Sequence, residues 1–233
     1  MQHPSLSPRP DTTMKPMKPM KHHVPATSDQ RISTILKYIS HDSKVLDIGC
    51  AHHHAERQSD PFWLHQHIKA RAKNTVGLEL ESEECEKLRN MGYNVVCGNI
   101  EDNELADMLG RDHDVIVAGE LIEHLSNPGL FLENSYEMLK QGGQLIITTP
   151  NPWNFFNIIS VVLRNKIPIH EQHTAWFDDK TLIQLVTRFG FKVQLFEYLH
   201  WMHGQKGEFI SKTLYKLKFK RFAGAGILVV LKK

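Results

Sequence analysis

Two short apolar runs, each ending in an acid where the chain has to turn, constrain the fold most. They are Val45-Leu46-Asp47-Ile48-Gly49-Cys50 and Val76-Gly77-Leu78-Glu79-Leu80-Glu81. A brief apolar run that ends in an acid and a glycine reads as a buried parallel strand turning sharply at its carboxyl end. In an open α/β sheet, ligands bind outside the carboxyl ends of the strands, in the crevice where strand order reverses. Two acidic tips there suit a ligand with ribose hydroxyls and a positive charge. Glycine between them lets the backbone come close. The pair therefore predicts a nucleoside cofactor.

At 233 residues the chain is long enough for one substantial α/β domain. Its 28 basic and 26 acidic residues nearly cancel, so bulk charge makes no case for nucleic acid or a membrane. No apolar run reaches the roughly 18 residues of a bilayer span, and Met1 to Met20 lacks the apolar core of a secretory leader. The cysteines, Cys50, Cys85 and Cys97, show no CxxC spacing, and their odd number argues against a disulfide framework. Each falls in or beside a core element, which predicts reduced, buried thiols in a soluble cytoplasmic protein.

Residues 1–27 are rich in Pro, Met, Lys and Ser and read as a disordered tail. Residues 28–233 form the domain. Ser28 caps a helix with Ile32, Ile35, Leu36 and Ile39 along one stripe. Strands follow at 44–48, 75–80, 94–97, 114–118, 144–149, 191–198 and 227–231. Helices are predicted from Pro61 to Ala72, from Ser82 to a stop at Gly92, from Asn127-Pro128 to Gly142, and from Asp178 to Gly190. Strand–helix alternation means a parallel sheet covered on both faces. The last two strands lack a clear crossover helix and read as an antiparallel edge pair. Between about 151 and 176 lies an insertion whose segment Trp153 to Ile167 is too apolar for an exposed loop. It reads as a helical lid over an acceptor pocket, with a membrane-surface face as the alternative. Lys212 to Arg221 interleaves lysines with Leu214, Tyr215, Leu217 and Phe219 and reads as a solvated amphipathic edge, with phosphate binding as the alternative.

Five motifs in order resemble those of class I S-adenosylmethionine-dependent methyltransferases. They are the first run from Val45 to Cys50, the acid Glu79, Gly98-Asn99-Ile100-Glu101-Asp102, the stretch from Asp114 to Leu125, and Leu139 to Asn151. The resemblance covers the chain from about Val45 onward and is closest to bacterial methyltransferases of glycan and natural-product clusters. It implies a Rossmann-like seven-stranded, mostly parallel sheet, order 3-2-1-4-5-7-6 with the last strand antiparallel, and helices on both faces. It also implies cofactor contacts at Asp47, Gly49, Cys50, Ala51, Glu79, Asn99, Ile100, Gly119 and Glu120. The chain departs from the family after Cys50, where Ala51-His52-His53-His54 replaces the usual second glycine. Alanine disfavours positive φ, so the loop should take another path. The spacing from Asp47 to Glu79 also exceeds the usual twenty or so residues, and Pro61-Phe62-Trp63-Leu64-His65 helps to fill it.

Past the fourth strand, Glu120, Glu123 and His124 share one turn and can converge. A second cluster, His170-Glu171-Gln172-His173, precedes Thr174-Ala175-Trp176-Phe177, and related segments lie over the active site in the subgroup. Glu123, His124 and His173 are the catalytic candidates, an imidazole taking the acceptor's proton. Structural histidines tying loops to the core are the plainer reading. Glu120, Glu123, His124 and His173 also resemble the metal tetrad of small-RNA 2′-O-methyltransferases, so a divalent cation and a nucleic-acid acceptor are the less favoured alternative. The expectation is O-methylation of a sugar, glycan or small metabolite. The other rival is a non-catalytic cofactor-binding regulator. Oligomeric state has no signal in the sequence.

Overall fold

The computed structural model describes residues 30–51, 60–166, 168–200 and 208–233. The predicted tail and the histidines His52 to His54 lie outside these. The strands are β1 (Lys44–Ile48), β2 (Asn74–Glu79), β3 (Val95–Cys97), β4 (His113–Gly119), β5 (Leu139–Pro150), β6 (Lys192–Leu199) and β7 (Gly226–Lys232). The helices are α1 (Gln30–Leu36), α2 (Leu64–Arg71), α3 (Ser82–Asn90), α4 (Leu105–Leu109), α5 (Pro128–Met138), α6 (Phe155–Arg164), α7 (Asp179–Arg188), α8 (Glu208–Lys216) and α9 (Lys220–Ala223). One sheet runs β3-β2-β1-β4-β5-β7-β6. β1 lies parallel between β2 and β4, and β7 is antiparallel to both β5 and β6. This is the expected order, with the antiparallel strand inserted one place from the edge.

Period-two alternation divides the core. Val45, Val115, Val117 and Ile146 face α1 and α2, where Ile32, Ile35 and Ile68 are fully buried. Leu46, Ile48, Ile116 and Ile147 face Phe131 and Leu132 of α5 and Leu182 and Val186 of α7. Both faces are apolar because both are covered, which is why the strands read as continuous apolar runs. Local chemistry sets the α5 and α7 starts. Asn127 Oδ1 accepts from the Leu130 N–H ahead of Pro128 at N1. Asp178 and Thr181 form a reciprocal capping box.

Several boundaries differ from the sequence expectation. α2 begins at Leu64, because Asp60 first makes a turn: its side chain accepts from the Phe62 N–H and its carbonyl from the Trp63 N–H. α5 ends at Met138, because buried Leu139 already pairs with His113 as the start of β5. α4, α8 and α9 were not anticipated. Cys85 of α3 and Cys97 of β3 are placed side by side, with Cα atoms 5.9 Å apart, a pairing that the sequence reading did not foresee. Packing α3 onto β3 brings two cysteines 12 residues apart into register. Cys50 is free and buried.

Gly77 is packed tightly against Cys50 and α2. A Cβ there would sit 2.5 Å from Cys50 Sγ and 3.1 Å from His65 Cε1. Gly77→Ala should therefore destabilise the domain by about 1–3 kcal/mol through overpacking. Differential scanning fluorimetry should show it as a drop in Tm of about 2–4 °C per kcal/mol, and an unchanged Tm would refute it.

Candidate active site

The tips of β1 and β2 are tied together through one carboxylate. Glu79 Oε2 accepts from the Ala51 N–H (3.0 Å), while Oε1 accepts from Leu80 (2.9 Å) and Glu81 (3.3 Å). Gly49 turns the chain at φ 72°, and its N–H donates to the Leu78 carbonyl at 2.8 Å. A side chain at Gly49 would press on Leu121 Cδ1 at 3.2 Å, so glycine is required for both conformation and space. Ala51 is buried and carries the chain out of the turn without a positive φ. Residues 52–59, which follow it, lie outside those described.

What holds that turn comes from α2. Trp63 Nε1 donates to the Cys50 carbonyl at 2.7 Å, and its ring meets Tyr93 edge-on at 5.0 Å. Asp47 is buried, its Oδ2 2.8 Å from His65 Nδ1. It therefore anchors α2 beneath the loop. Burial, then the charges of Asp47 and Glu79, push the Cys50 thiol upward in pKa, so it stays protonated. The Gly98 N–H donates to the Glu79 carbonyl and sets the exit of β3 beside this loop. There Asn99 Oδ1 accepts from the Glu101 N–H. Ile100 is buried in the core, its carbonyl held by Asn134 Nδ2 at 2.7 Å.

The second half of the site lies past β4. Gly119 has little space, since a Cβ would sit 3.0 Å from Leu64 Cδ2 and 3.8 Å from the Arg31 guanidinium. Glu120 is left-handed at φ 55°, and its N–H is held by the Thr148 carbonyl (2.9 Å) and Oγ1 (3.2 Å). For a residue with a side chain that conformation costs about 1–3 kcal/mol, of a kind that clusters at functional sites. A 3₁₀ turn, Ile122–His124, follows. The segment around His173 folds onto it: the Thr174 N–H donates to the Glu123 carbonyl (2.8 Å) and Thr174 Oγ1 to the Leu125 carbonyl (2.7 Å). The ligand atoms of Glu123, His124 and His173 consequently all lie within 4.8 Å of one another. The His124 and His173 rings meet edge-on at 4.6 Å, with His170 5.5 Å from His173.

Their electrostatics differ. Glu123 is 1% exposed, and its Oε2 accepts from Thr149 Oγ1 at 2.9 Å. Oε1 is buried with no hydrogen-bond partner among the described residues. Burial, then the nearby Glu120 charge, pushes its pKa up to about 8, so it holds a proton at neutral pH. Burial, then the charge of His170, lowers the pKa of His124, which keeps that imidazole neutral and able to accept a proton. A carboxyl whose folded pKa lies above its unfolded value binds more protons when folded. Its contribution to stability is complete below about pH 4.5 and is lost as pH rises through about 8. Subtracting the Tm-versus-pH curve of Glu123→Gln from that of the parent should leave a downward slope across this window. A flat difference would show that Glu123 ionises normally.

Sequence reasoning missed four contributors. Arg31 of α1 reaches Gly119 and lowers the pKa of Glu123 through its charge. His65, Thr149 and Thr174 hold Asp47, Glu123 and the loop over the turn. His65, Thr149 and Thr174 lie in segments that the sequence singled out, whereas Arg31 had no signal.

A family model described as a methyltransferase domain matches residues 20–195. The chain belongs to that family. The sheet order and helices are those of the class I S-adenosylmethionine-dependent methyltransferase fold. A methyltransferase of that kind from Archaeoglobus fulgidus superposes with a TM-score of 0.61 at 18% identity, covering 87% of this chain and 91% of that one. The mitochondrial ubiquinone biosynthesis O-methyltransferase of Rattus norvegicus is 37% identical over 54 residues, 23% of this chain and 16% of that protein. The ubiquinone biosynthesis O-methyltransferase of Nitrobacter winogradskyi is 29% identical over 118 residues, 48% and 41% of the two chains. The matches thus take in less than half the length of these relatives.

The family uses S-adenosylmethionine, and the donor set at the strand tips fits it. Glu79 would offer a carboxylate to the ribose, the glycine turn at Gly49 would leave backbone approachable, and Cys50 and Ala51 would edge the mouth. A carboxylate has about four lone-pair positions, and Glu79 spends three on backbone N–H groups.

Proposed function

We propose that this domain transfers a methyl group from S-adenosylmethionine to a hydroxyl oxygen of a small-molecule acceptor. The observation that carries the reading is the convergence of Glu123, His124 and His173 beside the strand tips. When bound, the cofactor supplies a methyl group on a cationic sulfur, so the protein's task is to place the nucleophile and receive its proton. Neutral His124 suits the second role, with His173 edge-on to its ring as the alternate acceptor. Glu123, buried and protonated, supports the turn from below by its bond with Thr149. The names of the relatives favour oxygen as the accepting atom and a small metabolite over a sugar or glycan.

A second reading has one observation behind it. The same three residues can offer a buried carboxylate oxygen and two imidazole nitrogens to one divalent cation. We place it second because two of the three donors are imidazole nitrogens, whereas a hard cation such as Mg²⁺ prefers oxygen ligands. The test of the main reading is methyl transfer from isotope-labelled S-adenosylmethionine to a panel of hydroxylated aromatic and sugar acceptors, followed by mass spectrometry. Label on an oxygen of an aromatic acceptor supports it. Cofactor binding with no transfer to any hydroxyl would favour the non-catalytic reading.

A further inference from the structure

Large apolar side chains left exposed are not scattered over this domain. Eleven of the fourteen among the described residues lie between Trp153 and Phe222. The helix α6 is Phe-Phe-Asn-Ile-Ile-Ser-Val-Val-Leu-Arg, yet none of its residues is buried. Val162 and Leu163 are 73% and 75% exposed, and Phe209 on α8 is 82% exposed. A patch of this kind on a domain surface marks an interaction site. The two regions are joined: Asn154, the N-cap of α6, donates from Nδ2 to the Gly224 carbonyl at 3.0 Å, and Asn151 Nδ2 to the Arg221 carbonyl at 2.6 Å. They leave the sheet at one end, where Pro150 of β5 pairs with Gly226 of β7.

Charge says what the patch meets. Residues 155–166 contain Arg164 and Lys166 and no acid. Residues 208–223 carry Lys212, Lys216, Lys218 and Lys220 besides Arg221, against the single acid Glu208. Arg221 is held by Asp179. In Leu217-Lys218-Phe219-Lys220 all four side chains are exposed, so cations and apolar groups alternate on one surface. A second copy docked about a two-fold axis would set this basic face against itself. A phosphate backbone would leave Val162 and Leu163 without a partner. An anionic bilayer interface satisfies both, since apolar groups enter the acyl boundary while lysine stems reach the headgroups. We propose that α6 and the α8–α9 corner form a docking surface for an anionic lipid membrane. None of the described helices is long and apolar enough to cross one, so the contact is with the surface.

The experiment is co-sedimentation of the full chain with phosphatidylcholine vesicles and with vesicles that also contain phosphatidylglycerol. It requires no turnover and stands apart from the proposed reaction. Binding is expected to the mixed vesicles only, and to weaken as salt is raised. Replacing Val162 and Leu163 together by serine should weaken binding about tenfold or more, and Lys216→Glu, Lys218→Glu and Lys220→Glu combined about a hundredfold or more. These side chains are exposed, so an unchanged Tm certifies the variants as folded. Absence of binding at low salt overturns the proposal, as does equal binding to neutral vesicles or binding that both variants retain. A dimer dissolved by the serine pair, without vesicle binding, would assign the face to self-association instead.

Discussion

Alanine at position 79 is expected to weaken binding of S-adenosylmethionine and of its demethylated product about ten- to a hundredfold, the worth of one charge-assisted hydrogen bond of roughly 1.5–3 kcal/mol. The residue has two ways to act. Its carboxylate stands at the tip of β2, where ribose hydroxyls would come, and it also holds the Ala51 N–H and with it the loop after β1. Glu79→Gln separates them. A glutamine carbonyl can still accept the Ala51 N–H, but it lacks the charge that strengthens bonds to hydroxyls. If direct recognition dominates, calorimetry should place Glu79→Gln near Glu79→Ala. If loop support dominates, it should fall between Glu79→Ala and the parent, because the amide NH2 cannot accept from the Leu80 and Glu81 N–H groups as Oε1 does. Parent-like affinity in Glu79→Ala would remove the residue from the site.

The largest effect is expected at the imidazoles. Loss of a positioned proton acceptor costs about a hundred- to ten-thousandfold in rate, so whichever of His124→Ala and His173→Ala removes the base should fall by that order while cofactor affinity is kept. The rate of the parent should fall as pH drops and the imidazole protonates. Because burial lowers the pKa of His124, that fall should lie below the ordinary histidine value. Chelators should then do nothing, and Glu123→Gln should retain most activity, since the buried carboxyl is already neutral. The cation reading requires the reverse: chelation abolishes turnover, Mg²⁺ or Mn²⁺ restores it, and Glu123→Gln is as damaging as loss of a histidine. Cation-rescued activity would overturn base catalysis by these residues.

How far the sequence leads can be seen residue by residue. β1 was legible to its ends, and the start of α7 was legible from Asp178, because apolar runs and caps are local codes. Glu79, Gly49 and the Glu120–His124 turn were legible because strand tips in this sheet order always face the same crevice. Tertiary structure decided what those residues do. Asp47 reads as a cofactor contact in the sequence, and the fold adds a bond to His65 that the sequence did not show, because α2 packs beneath the loop. Glu123 reads as a catalytic or metal-holding candidate, and the fold seals it under Thr149 and the Thr174 segment. The apolar segment after β5 is helical, as its composition suggested, yet none of its residues is fully buried. Periodicity and capping are set by neighbours a few residues away, so the sequence alone determined the seven strands, most of the helices and the acids at the tips. Burial, proton affinity and exposed face depend on partners such as Arg31 and Thr174, far away in the chain, and only the packed fold brings those together.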